Sequence, residues 1–115
     1  PPPTSNPPPG SGCSVNYTAN TWNTGFTTSI TIRNNGSAAI NGWTLRFSFA
    51  GNQAVSNSWN STPSQSGTAV TLTNVSYNST IAPGGTTNMG FQATYSGTNT
   101  NPTAFSVNGT ACTLF

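Results

Sequence analysis

Three aromatic side chains stand in wholly polar company, and they are the groups in this sequence best able to engage a partner. Trp22 lies in Asn20-Thr21-Trp22-Asn23-Thr24-Gly25, Trp59 in Asn57-Ser58-Trp59-Asn60-Ser61-Thr62, and Tyr77 in Ser76-Tyr77-Asn78. A large ring without apolar neighbours has little core to join, so local sequence favours exposure of all three. The matching fact is what is missing: the chain has no Asp, no Glu and no His, and its only charged side chains are Arg33 and Arg46. Acid–base and nucleophilic catalysis need a group that titrates near neutral pH or a base to activate a nucleophile. Glycoside hydrolysis usually needs two carboxylates, and metal chemistry needs His, Cys or carboxylate ligands. None of these sets can be assembled, so no catalytic residue, metal ligand or cofactor is assigned and the chain is not read as an enzyme. What remains is a neutral polar surface carrying rings, which suits a neutral polar ligand.

A pyranose sugar is such a ligand. Its flat faces carry axial C–H groups, and its rim carries equatorial hydroxyls. An indole or phenol stacked on that face removes apolar surface from water, worth about 1–2 kcal/mol per ring at roughly 25 cal/mol per Å². Three coplanar rings would offset the cost of association and leave useful affinity. Uncharged Asn, Gln and Ser side chains nearby can bond the hydroxyls. A coplanar row of rings fits a flat, insoluble polysaccharide better than a soluble chain.

The elements that must position these rings are strands. A chain of 115 residues fits one domain. Ser, Thr and Asn supply 52 of those residues, yet charge is 2% and aromatics 10%, which points to a folded β protein rather than a charged disordered chain. Phe26, Thr28, Ile30 and Ile32 alternate with Thr27, Ser29, Thr31 and Arg33, a half-buried strand. Trp43, Leu45, Phe47 and Phe49 form a second inward set. Val70 and Leu72 point inward from a strand over Ala69 to Asn74. Met89, Phe91 and Ala93 do so from Thr86 to Tyr95, leaving Asn88, Gly90 and Gln92 outward. Weaker strands are read over Ser14 to Thr21, Val55 to Trp59 and Ala104 to Val107. Parity alone would bury Trp59 with Val55; a bulge at the end of that strand would reverse its face. Several short strands with turns between them predict an all-β fold, an antiparallel β-sandwich of immunoglobulin-like or jelly-roll-like type.

Cys13 and Cys112 are the only cysteines. An even count near both ends suggests one disulfide joining them, the alternative being two unpaired buried thiols. Such a bridge implies an oxidising, extracellular setting, so the protein is expected to be secreted. Residues 1–12, PPPTSNPPPGSG, read as a Pro/Gly/Ser-rich linker that spans roughly 35 Å if extended, and residues 13–115 as the folded module. The linker would separate the module from a partner domain. No basic stripe supports nucleic-acid binding, and no apolar run approaches a membrane span. Arg33 and Arg46 read as solubility residues on outer sheet surfaces.

Trp22-Asn23-Thr24-Gly25-Phe26, Gly42-Trp43-Thr44-Leu45, Gln65-Ser66-Gly67 and the ending Pro102-Thr103-Ala104-Phe105-Ser106-Val107-Asn108-Gly109 together resemble a family 2 carbohydrate-binding module, from Cys13 to about Cys112. The resemblance implies a β-sandwich tethered to a polysaccharide-degrading catalytic domain, with a flat face of three aromatics. Carried over by position, these are Trp22, Trp59 and Tyr77, with polar helpers at Asn20, Ser29, Asn57, Asn88 and Gln92. Parity independently turns Ser29, Asn88 and Gln92 outward. In the xylan-binding branch an Arg three residues after the first Trp rotates its ring. Here that position is Gly25, as in the cellulose-binding branch, so Trp22 is expected to lie flat. Tyr77 stands where the family more often has Trp, and Tyr17 does likewise.

The expected function is therefore a non-catalytic, monomeric module adsorbing to crystalline cellulose. Chitin, with chains of the same ribbon shape, is the alternative ligand. A structural or adhesin-like spacer domain is the alternative of another class, favoured if the three rings are buried.

Overall fold

The computed structural model describes residues 12–115, which form eleven strands and no helix. They are β1 (Cys13–Thr21), β2 (Gly25–Asn34), β3 (Ile40–Asn41), β4 (Thr44–Ser48), β5 (Ala54–Trp59), β6 (Ser61–Ser66), β7 (Ala69–Asn74), β8 (Thr80–Ile81), β9 (Thr86–Thr94), β10 (Phe105–Val107) and β11 (Thr110–Leu114). Nine of them pair in the order β5-β9-β2-β1-β11-β10-β4-β7-β6, while β3 and β8 make a separate small ribbon. Neighbours are antiparallel except β1 and β11, which run parallel. The linker reading lies outside the described residues except for Gly12, whose carbonyl accepts a hydrogen bond from the Asn35 amide at 3.1 Å.

Alternation creates the core as the sequence requires. Phe26, Ile30 and Ile32 on β2 meet Met89, Phe91 and Ala93 on β9, all at most 1% exposed. From the other half of the sandwich Leu45, Phe47, Val70, Leu72, Phe105 and Val107 close over them. Trp43 is fully buried and donates its indole N–H to the Asn78 carbonyl at 2.8 Å. Phe26, Phe47, Phe49 and Phe91 pack mostly edge to face, with centroids 5.4–6.2 Å apart, the geometry that aromatic quadrupoles favour.

The Cys13–Cys112 disulfide is formed, with Cα atoms 4.8 Å apart between cysteines 99 positions apart in the sequence. It ties together the two strands that meet in parallel.

A glutamine joins the two ends of the sheet. β5 and β6 are its outermost strands. The Gln65 side chain accepts from the Val55 amide at 2.8 Å and donates to the carbonyls of Gln53 at 2.8 Å and Gly67 at 3.0 Å. A carboxamide here substitutes for a strand pair, so the sandwich is nearly closed. Gln53 is itself buried, accepting from the Gly51 amide and donating to Asn99 and the Thr100 carbonyl.

Three elements carry no signal in the sequence. β6, SerThrProSerGlnSer, lacks apolar residues and survives as an edge strand, where its Pro63 is tolerated. β3 and β8 have two residues each and β11 is mostly exposed, so alternation cannot mark them.

Candidate functional site

The outer face of β5, β9, β2 and β1 is a grid of cross-strand rows, two residues or roughly 7 Å apart along the strands. One row reads Asn57, Gln92, Thr27, Asn20; the next reads Trp59, Gly90, Ser29, Thr18; a third holds Asn88, Thr31 and Asn16. Asn20, Ser29, Asn57, Asn88 and Gln92 are all exposed, so the sheet brings the five polar candidates onto one surface.

Trp59 reaches that face through a bulge. Val55 pairs with Ala93, which points inward, yet Asn57 pairs with Gln92, which points outward, because the register shifts at Ser56. Without the extra residue Trp59 would face the core. The Ser56 hydroxyl donates to the Gln92 carbonyl at 3.0 Å, holding the bulge in place.

Each tryptophan rests on a glycine. A Cβ on Gly90 would lie 2.4 Å from Trp59 Cζ2 and 2.4 Å from the Thr28 carbonyl oxygen. A Cβ on Gly25 would lie 3.0 Å from Trp22 Cε2 and Cζ2. Both glycines are buried although they point outward, because the indoles cover them. At Gly90 no side chain fits between strand and ring, and at Gly25 one would fit only if its neighbours gave way by a few tenths of an ångström, so glycine serves close approach at both. The rings remain open to solvent on their other side: Trp22 is 44% exposed and Trp59 41%. Their glycine seats are separated by four residues along β2, roughly 13 Å.

Trp22 belongs to the β1–β2 hairpin, where its amide donates to the Gly25 carbonyl at 2.8 Å. The Tyr95 hydroxyl donates to the Trp22 carbonyl at 2.8 Å, and the Tyr95 ring packs edge-on against Phe26. The turn is thus fixed from below by a residue that alternation alone did not single out.

Tyr77, 73% exposed, comes from the β7–β8 loop. Its hydroxyl donates to Asn60 Oδ1 at 2.6 Å. Asn60 takes the left-handed conformation, φ 62°, which Asn tolerates better than most residues. It donates to the Asn88 carbonyl at 3.3 Å and accepts from the Asn78 side chain at 2.7 Å. Asn60 therefore ties the Tyr77 loop to the end of the strand that carries Trp59, a role its sequence context did not reveal.

Tyr17 has a different place. Its ring packs between Phe47, Phe91 and Phe105 at the core edge, and burial pushes its phenol pKa well up. Three concavities lie away from the rings, lined by residues such as Arg46 and Thr71, Ile40 and Val107, or Tyr17 and Pro102. Among the described residues no cluster of His, Cys, Asp or Glu could hold a metal. The face is shallow, uncharged over its five polar candidates, and ring-bearing.

The profile of the family described as "Cellulose binding domain" matches residues 13–112. Exoglucanase A of Cellulomonas fimi is 57% identical over 103 residues, which cover 90% of this chain and 12% of that protein. The chain spans about a tenth to a fifth of the length of the curated relatives it matches. Among solved structures, the chitin-binding domain of Chi18aC from Streptomyces coelicolor superposes with a TM-score of 0.70 at 30% identity, covering 89% of this chain and 95% of that one. The cellulose-binding family 2 domain of ScLPMO10C superposes at 0.66 with 27% identity, covering 90% and 96%. With the family profile spanning the sheet from one disulfide cysteine to the other, the chain belongs to the cellulose-binding domain family, whose members are binding modules and not catalysts.

Proposed function

We propose that this module adsorbs to the flat face of crystalline cellulose by stacking Trp22, Trp59 and Tyr77 on the sugar rings of its surface, while Asn20, Ser29, Asn57, Asn88 and Gln92 bond the hydroxyls. The observation that carries the proposal is the seating of two half-exposed indoles on glycines of one rigid sheet face, beside a more exposed tyrosine. Rings already held in place lose little freedom on binding, so less of the stacking energy is spent on ordering them. A neutral face is also cheap to desolvate against a neutral crystal.

In the parent protein, residues 1–12 act as a spacer and residues 13–115 as a monomeric module that holds a secreted catalytic domain at the polysaccharide surface. The benefit is effective concentration: a tethered enzyme meets its substrate at a local concentration set by linker length.

Chitin is the second reading, favoured by the likeness to a chitin-binding domain over nearly the whole chain. The two are separated by depletion of the protein from solution on microcrystalline cellulose, β-chitin and insoluble xylan, with wild type beside Trp59→Ala. Uptake by cellulose that the substitution removes supports stacking on cellulose. Stronger uptake by chitin would transfer the same mechanism to that ligand. Wild type left in solution by all three would end the polysaccharide reading and leave the spacer or adhesin reading in its place.

A further inference from the structure

We infer that Phe115 and Arg33 form an accessory carbohydrate subsite, which contacts a second polysaccharide chain lying beside the one under the tryptophans. The inference rests on the proposed function and extends the face sideways.

Arg33 follows Thr27, Ser29 and Thr31 on the outward side of β2, so it shares the face that carries Trp59. Its Cζ lies 4.7 Å from the centroid of the Phe115 ring. Phe115 is 48% exposed and Arg33 is exposed as well. The chain has no acidic side chain to draw the guanidinium elsewhere. The result is a flat cation stacked on an aromatic ring, presenting apolar area together with N–H donors that suit sugar hydroxyls.

The Phe115 backbone is fixed. Its amide donates to the Val15 carbonyl at 3.1 Å, and its carbonyl accepts from the Asn16 side chain. Asn16 also accepts from Thr18 at 3.1 Å. From there polar groups continue across the sheet. Thr31, opposite Asn16, donates to Asn88 Oδ1 at 3.2 Å; Asn60 donates to the Asn88 carbonyl; Tyr77 donates to Asn60. Phe115 and Tyr77 thus stand at opposite ends of one transverse row.

The geometry decides what that row meets. Trp22 and Trp59 follow each other along the strand direction, so a chain under both runs along the strands. Phe115 extends β11, three strands from the β9 seat of Trp59, roughly 14 Å to the side. A single chain cannot reach both, whereas neighbouring chains in a crystal surface can.

The test compares adsorption isotherms on microcrystalline cellulose with calorimetric binding of a soluble cello-oligosaccharide, which offers one chain. The proteins are wild type, Phe115→Ala, Arg33→Gln, Arg33→Lys, Arg46→Gln and Trp59→Ala, each checked for folding by thermal unfolding. Arg46 is exposed on β4, in the other half of the sheet, and controls for loss of charge. Burying the free part of one ring predicts about three- to tenfold weaker adsorption to the crystal for Phe115→Ala. Arg33→Gln should weaken it in the same direction. Arg33→Lys, which keeps the charge but not the flat fork, should fall between wild type and Arg33→Gln. Neither Phe115→Ala nor Arg33→Gln should change oligosaccharide binding, and Arg46→Gln should change nothing. Crystal adsorption of Phe115→Ala within about twofold of wild type, equal losses on crystal and oligosaccharide, or an Arg46→Gln effect matching Arg33→Gln would each overturn the subsite. If Trp59→Ala also binds like wild type, the stacking mechanism itself is wrong; if only Phe115→Ala does, that mechanism stands and the accessory subsite falls.

Discussion

Replacing Gly90 with alanine should spoil adsorption without removing any ring. The new methyl would stand 2.4 Å from Trp59 Cζ2 and 2.6 Å from Cε2, where ordinary contact begins at 3.4 Å. The indole must therefore rise or tilt by about 1 Å. A crystal face is flat and does not follow. With Trp59 raised, Trp22 and Tyr77 stand off from the surface, and a gap of 0.5–1 Å forfeits roughly a quarter to a half of a contact's dispersion well. At about 1–2 kcal/mol per stacked ring, the two stranded rings lose about 1 kcal/mol together, roughly three- to tenfold in adsorption constant. The same methyl meets the Thr28 carbonyl oxygen at 2.4 Å, so β2 and β9 must also part slightly, costing about 1–3 kcal/mol of stability. Thermal unfolding reads that second effect separately, as a melting temperature lower by roughly 5–20 °C. Gly25→Ala is the graded partner: its methyl would meet Trp22 and the Ala93 carbonyl only at 3.0 Å, so both losses should be smaller. The adsorption isotherm is measured below the melting temperature of each variant, so only folded protein is compared. Wild-type adsorption by folded Gly90→Ala would refute the claim that the glycine seats set the level of the rings. So would a larger loss from Gly25→Ala.

Three further outcomes follow from the scaffold. Replacing both Cys13 and Cys112 with serine opens a loop whose ends are 99 residues apart, and should cost about 4–5 kcal/mol in denaturant unfolding. Gln65→Ala removes two hydrogen bonds that bridge from β6 to the β5 side and a third to the Gly67 carbonyl in the following turn, and should cost about 2–3 kcal/mol with faster amide exchange at Val55; exchange unchanged at that amide would show that the sheet closes without it. With no Asp, Glu or His in the chain, adsorption should stay flat between about pH 5 and 9. Stability should fall only as pH rises above the ordinary phenol value of 10.0: the unfolded chain can then ionise Tyr17, while burial keeps the folded phenol protonated. Melting temperatures across pH 5–11 check the sign.

Much of this architecture was legible because β-strands announce themselves by alternation. Phe26 to Ile32, Leu45 to Phe47 and Met89 to Ala93 each set an apolar parity that packing had no reason to override, and each is buried as that parity demands. The face of Trp59 was legible only in part. Parity pointed inward, and the outward turn depends on one extra residue, Ser56, whose type does not distinguish a bulge from a regular strand. β6 was illegible for a related reason: Ser, Thr and Pro give no hydrophobic period, so its place is set by pairing with β7 and by a glutamine side chain. The supports of the candidate site, Gly90, Asn60 and Tyr95, were missed as supports. Their roles are long-range, linking residues 17 to 73 positions apart in the chain.

The arrangement also explains why the third ring can be a tyrosine. Trp22 and Trp59 are held by strands beneath them, whereas Tyr77 sits on a loop that offers no seat and leaves it 73% exposed. A phenol has what an indole in that place would lack, a hydroxyl at the far end of the ring, and here it is bonded to Asn60. The ring is thereby tied at both ends, through its backbone and through its oxygen. A tryptophan would offer more area but would swing about its own Cα–Cβ bond, and ordering it on binding would cost about 0.5–1.5 kcal/mol. That is comparable with the stacking energy of the extra area, so the smaller tethered ring need not bind more weakly. The comparison turns on the tether: Tyr77→Phe keeps the ring and loses only the bond to Asn60. If Tyr77→Phe adsorbs as tightly as wild type, area and not order governs this position.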